Sequence, residues 1–106
     1  MSFDKLTHYR LSPRAFDDLD DIWRYTAETW SLDQADTYVD RLTKVFDGIV
    51  AMPDIARERM EFDPPVHIHV YQNHLIVYVI RQDHIVIVRI LGSRQNWQAM
   101  LRALEP

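Results

Sequence analysis

Residues 85–97 read IVIVRILGSRQNW, and how this stretch is read decides the fold. Six of its first seven side chains are apolar, and the remaining one is Arg89. The β-branched run predicts a strand over 85–91, and a helix-like tail follows it. Two similar runs stand upstream, 66–71 (VHIHVY) and 75–81 (LIVYVIR). The links Gln72-Asn73-His74 and Gln82-Asp83-His84 are hairpin length, so the three strands form an antiparallel meander.

The first half has a different period. Residues 5–11 (KLTHYRL) alternate as a strand, and Ser12-Pro13 supplies an N-cap followed by the first helical residue. Phe16, Leu19, Trp23, Ala27 and Trp30 then recur at helical spacing, which assigns the aromatics to the core. Asp17, Asp18, Asp20 and Asp21 read as a solvated helix face. Ser31 with Gln34 is a capping-box pattern that opens a second helix. Its stripe runs Ala35, Tyr38, Val39, Leu42, Val45, Phe46, Ile49, Val50, and Pro53 stops it. The expected fold is α+β, a helical hairpin packed on a small antiparallel sheet in the order β-α-α-β-β-β. Trp97, Met100, Leu101 and Leu104 mark a short C-terminal helix. The segment 54–65 is ambiguous, with room for a short strand within 57–62. A single domain over 1–106 is expected, since no linker, repeat or low-complexity tract appears.

Both faces of strands 75–81 and 85–91 are apolar. Leu75, Val77 and Val79 oppose Ile76, Tyr78 and Ile80, while Ile85, Ile87 and Arg89 oppose Val86, Val88 and Ile90. Two helices cover only one face of such a sheet. The other is expected to be an apolar surface awaiting a protein partner, with self-association or the C-terminal tail as alternative covers.

Composition removes several function classes. Cysteine is absent, which excludes thiol nucleophiles and Cys-based zinc sites and suits a reducing cytoplasm. Gly48 and Gly92 are the only glycines, so no phosphate-cradling glycine loop can be written. No stretch reads as a signal peptide or membrane span. The net charge is −4, and residues 1–55 carry six Lys/Arg against eleven Asp/Glu. Such a chain lacks the cationic field of a protein that holds nucleic acid by its phosphates.

LSPRAFDDLDDI (11–22), Gln34-Ala35-Asp36 at the start of the second helix, and IVRIL with Arg94 (87–94) together resemble the RelE/ParE toxin superfamily of type II toxin–antitoxin systems. The closer resemblance is to the ParE branch, over about residues 6–104. It implies a growth-arresting toxin, of the kind tied to plasmid stabilisation, neutralised by a ParD-like ribbon-helix-helix antitoxin. It implies DNA gyrase as the target, bound as a protein inhibitor, with operator DNA met only through the antitoxin and no membrane partner. The alternatives are a RelE-like ribosome-dependent mRNA endoribonuclease, or a degenerate non-toxic member retained for antitoxin binding. Ribonuclease relatives commonly place a proton-bearing side chain just past the last strand, where this chain has Gly92. Lysines number two, Lys5 and Lys44, both in the acidic half.

No residue is therefore assigned a catalytic role, and no cofactor or metal is expected. His67 and His69 form an H-x-H pair, but two ligands are too few for a metal site. Expected antitoxin contacts are Arg81, Arg89, Tyr78, His67 and His69. Expected target contacts are Arg94, Trp97, Met100 and Arg102. Arg89 is read with its stem buried and its head paired to a carboxylate or to the antitoxin. For the RNA-cleavage alternative, His74, Tyr78, Arg81 and Arg94 are the groups that could converge on one sheet edge.

Overall fold

A computed structural model of the chain describes residues 6–103. Lys5 and Leu104, named above, lie outside them. β1 (His8–Leu11) leads into α1 (Pro13–Thr29) and α2 (Leu32–Ala51). After a 3-10 turn at Pro53–Ile55 come β2 (Glu58–Arg59), β3 (Val66–Tyr71), β4 (His74–Ile80), β5 (His84–Gly92) and α3 (Trp97–Arg102).

Both helix starts follow from their caps. Ser12 Oγ accepts from the Ala15 N–H, with Pro13 opening α1, and Ser31 Oγ accepts from the Gln34 N–H. The ambiguous segment does hold a short strand, β2, paired with the start of β3.

The sheet order is β1-β5-β4-β3-β2. β2 to β5 are antiparallel neighbours, but β1 pairs in parallel with β5, so the sheet is mixed rather than antiparallel. The helical hairpin causes this. It carries the chain across one face after β1, and a crossover is what parallel pairing requires. Against that face pack Ala15 of α1 and Leu42, Phe46 and Ile49 of α2, over Ile76, Tyr78, Ile85, Ile87 and Ile90.

Two sequence expectations fail here for geometric reasons. Tyr78 pairs with Ile87 and Val77 with Arg89, so Val88 is an extra residue in β5. This bulge resets the alternation, and Ile90 joins Ile85 and Ile87 instead of Val86 and Val88. The second failure concerns α1. Phe16 is 59% and Trp30 68% exposed, and Trp23 is half-buried. The core side of α1 is set by Ala15, Leu19 and Ile22, one position away from Phe16 and Trp23 and so rotated about 100°. Trp23 instead bridges the hairpin, its indole N–H donating to Asp36 Oδ1 at 2.8 Å.

The second sheet face is not bare. Phe62, from the segment between β2 and β3, and Leu101 of α3 are buried there with Val66, Leu75, Val77, Val79 and Leu91. Trp97 and Met100 pack around them. The C-terminal tail is thus the cover, and six helical residues suffice because they meet the sheet with large side chains. Val70 stays 60% exposed on β3.

If α3 seals this face, Leu101→Ala destabilises the protein by about 2–5 kcal/mol, the range for a buried leucine replaced by a cavity. Val70→Ala should shift stability by no more than about 0.5 kcal/mol. Urea unfolding of the two variants checks the contrast.

Candidate functional site

The site is built around a carboxylate. Asp18 of α1 accepts from Arg89 Nε at 2.8 Å, from Arg89 Nη2 at 3.0 Å and from the Ile90 backbone N–H at 2.9 Å. The two side chains are only 13% and 9% exposed. The hydrogen bonds that Arg89 donates to Asp18 hold the guanidinium pKa above its ordinary value. The carboxylate expected for Arg89 is therefore intramolecular, and Asp18 does not belong to the solvated face. Its spacing shows why: it stands three residues after Ala15 and four before Ile22, on the core side of α1.

Beyond β1, side chains take over as partners for the backbone of β5. Ser12 Oγ donates to the Val88 carbonyl, Asp18 accepts from Ile90, and Gln95 Oε1 accepts from the Gly92 N–H. These bonds bring α1 and the loop after β5 together around an open cleft of about 850 Å³. Ile22, Tyr25 and Thr26 of α1 and Trp30 just past its end wall it on one side, and Gln34, Thr37, Tyr38 and Arg41 of α2 on the other. Gln72, Asn73 and His74 of the β3–β4 turn, with Arg89, Ile90, Arg94 and Met100, complete it. A smaller hollow of about 280 Å³ reaches Arg89 between Arg14, Asp17 and Asp21.

Tyr38 and His74 join α2 to the start of β4, with hydroxyl and Nδ1 2.6 Å apart. Burial pushes the Tyr38 hydroxyl up to about 12, and burial lowers the His74 pKa. The phenol therefore stays protonated and the imidazole neutral, and the imidazole tautomer sets which of the two donates.

The residues expected to meet partners separate. Arg94 and Met100 line the cleft, as does Arg89, whose Nε and Nη2 are held by Asp18. Tyr78 is fully buried, its hydroxyl donating to the Pro53 carbonyl at 2.7 Å, so it offers no surface for an antitoxin. His67, 9% exposed, stacks on Tyr78 and bonds the Ala56 carbonyl through Nδ1. His69 is half-buried, and burial lowers its pKa. Arg81 is exposed in the β4–β5 turn, far along β4 from Val77, the cross-strand partner of Arg89. Trp97 packs on the second sheet face, and Arg102 is exposed at the end of α3. Of the four groups considered for RNA cleavage, only His74 and Arg94 share the cleft. No group of three or more His, Cys, Asp or Glu among the described residues is arranged to hold a metal. Tyr25 and Arg41 escaped the sequence reading and Tyr38 was read only as part of the α2 stripe, because nothing local marks which helical positions face a cleft.

The fold recurs in a solved structure. It superposes on a chain from a chromosomal ParDE toxin–antitoxin system of P. aeruginosa with a TM-score of 0.72 at 16% identity, over 86% of this chain and 98% of that one. The family described as the ParE toxin of type II toxin–antitoxin system, parDE, matches residues 9–97. Toxin ParE1 of Mycobacterium tuberculosis is 33% identical over 91 residues, covering 85% of this chain and 93% of the relative. Toxin ParE1 of Caulobacter vibrioides is 30% identical over 93 residues, covering 88% and 96%. The chain belongs to the ParE toxin family of type II toxin–antitoxin systems.

Two measurements test the site. Asp18→Ala leaves a buried guanidinium and the Ile90 N–H without acceptors, and should lower unfolding stability by about 3–5 kcal/mol; Asp18→Asn, which keeps an acceptor, should cost less. By NMR, His74 and His69 should titrate below the ordinary histidine value of about 6.5. The unfolded chain then takes up protons first, so their contribution to stability is complete above about pH 6.5 and declines as pH falls below it.

Proposed function

We propose that this chain arrests growth by binding DNA gyrase in the cytoplasm, without chemistry of its own, and that a ParD-like ribbon-helix-helix antitoxin holds it inactive. Membership of the ParE family is the support for both partners. The single observation that favours inhibition by binding over cleavage is the residue after β5's last apolar side chain. It is Gly92, whose N–H is occupied by Gln95, so this position brings neither a proton nor a charge to a scissile phosphate. No segment among the described residues is a helix long and apolar enough to cross a membrane.

One observation favours a second reading, a ribosome-dependent ribonuclease. Neutral His74 shares its cleft with Arg41 and Arg94, a base beside cations. Tyr78 and Arg81 weaken it, since neither reaches that cleft.

The deciding experiment adds purified, antitoxin-free protein to gyrase and to a translating extract. Supercoiling should stop at near-stoichiometric toxin and resume when antitoxin is added, with mRNA intact. Untouched gyrase together with codon-specific cuts, lost in His74→Ala, transfers the assignment to the ribonuclease reading.

A further inference from the structure

We propose that the cleft of the free toxin is a binding site for a nucleoside phosphate, with the base laid on the aromatic rim at Tyr25 and Trp30 and the phosphate held by Arg41 and Arg94. The ligand is bound and released unchanged, and the site does not depend on which target the toxin arrests. A free nucleotide and the terminal nucleotide of a single strand share this chemistry.

The floor of the cleft is fixed by the chain's own bonds. The Ser93 N–H donates to the Asn73 carbonyl at 2.8 Å, which ties the β3–β4 turn to the loop that carries Arg94. Gln95 holds the Gly92 N–H in the same loop, and Tyr38 holds His74. Gln72 turns the backbone between β3 and β4 with a φ of 54°. These bonds leave the side-chain amides of Gln72 and Asn73 exposed at the cleft, and among the described residues neither amide has a hydrogen-bond partner. A primary amide offers a donor and an acceptor side by side, the pattern that pairs with the edge of a base. The volume of about 850 Å³ falls in the range of small-molecule sites.

The base follows from the rim. Tyr25 and Trp30 are each 68% exposed there, so their ring faces are open to a planar ligand. A base stacks on such faces whatever its identity, because every base has a π-face.

The phosphate follows from charge. Arg41, Arg89 and Arg94 line the cleft against Asp18 and Asp21, a local excess of one positive charge on a chain of net charge −4. Arg89 is held by Asp18, so the guanidinium groups left to a ligand are Arg41, from α2, and Arg94, from the loop after β5. Position sets these two apart from the other arginines: both line the one cleft that also carries the aromatic rim. Each offers paired N–H donors that match phosphate oxygens. Asp21 and the negative chain oppose a long phosphate backbone, which limits the ligand to one or a few phosphates. Inorganic phosphate or a simple carboxylate would satisfy the arginines and leave the ring faces and the amides unused.

The test titrates full-length, antitoxin-free toxin by calorimetry with AMP, ATP, inorganic phosphate and a short 5′-phosphorylated single-stranded DNA. Saturable binding of at least one nucleotide probe is expected, with inorganic phosphate at least about tenfold weaker. Trp30→Ala, Arg41→Ala and Arg94→Ala should each lose about tenfold in affinity for that probe. All three residues are exposed, so the variants should keep the urea midpoint of the wild type. AMP or ATP bound at least as tightly as the strand supports the site and makes a free nucleotide its ligand; a strand bound more tightly supports it with a strand end as the ligand. The proposal is overturned if no nucleotide probe saturates the toxin at millimolar concentration, if inorganic phosphate binds as well as the nucleotides, or if the three variants bind like the wild type.

Discussion

The arrangement depends on the carboxylate of Asp18. It meets a buried guanidinium and a backbone N–H that would otherwise point into space beyond the last residue of β1. A charge removed from water must find a partner or forfeit its ionised form, and a buried pair loses heavily when one member goes. Asp18 therefore fixes the roll of α1 about its own axis, because only one orientation presents both oxygens to Arg89 and Ile90. The same contact falls at the bulge of β5, where Val88 interrupts the ladder. Ser12 reinforces it from the helix N-terminus, capping Ala15 and binding the Val88 carbonyl with one hydroxyl.

That fixed roll is what opens the cleft. With Ala15, Leu19 and Ile22 turned to the sheet, Tyr25 and Trp30 are left at the rim. Tyr38 anchors the other wall to His74 through a hydrogen bond between a protonated phenol and a neutral imidazole. α3 and Phe62 bury most of the second sheet face, while Tyr25 and Trp30 leave exposed aromatic surface at this end of the hairpin.

The sequence made half of the central contact readable. An arginine among β-branched residues has to be paired, and the reading of Arg89 as paired to a carboxylate is met by Asp18. Which carboxylate was hidden inside DDLDD, where four neighbouring acids look alike until the phase of the helix is known. Arg94, expected as a target contact, lines the cleft. Tyr78 and His67, expected as partner contacts, lie buried, because alternation gives only the parity of a strand residue and not what covers its face. The register places Val77, and not Arg81, opposite Arg89.

What the sequence determined by itself was local: the two N-caps, the helical stripe of α2, the runs that became β3, β4 and β5, and the motif order that places the chain in the ParE family. Each of these depends on residues a few positions apart, whose preferences act without knowledge of the rest of the chain. What only the tertiary structure decided was non-local: β1 beside β5, α3 over the second face, Asp18 on Arg89, and the aromatic cleft between α1, α2 and the β3–β4 turn. Those outcomes depend on which groups satisfy one another across the chain. A one-residue bulge or a 100° turn of a helix is enough to change them without altering any local signal.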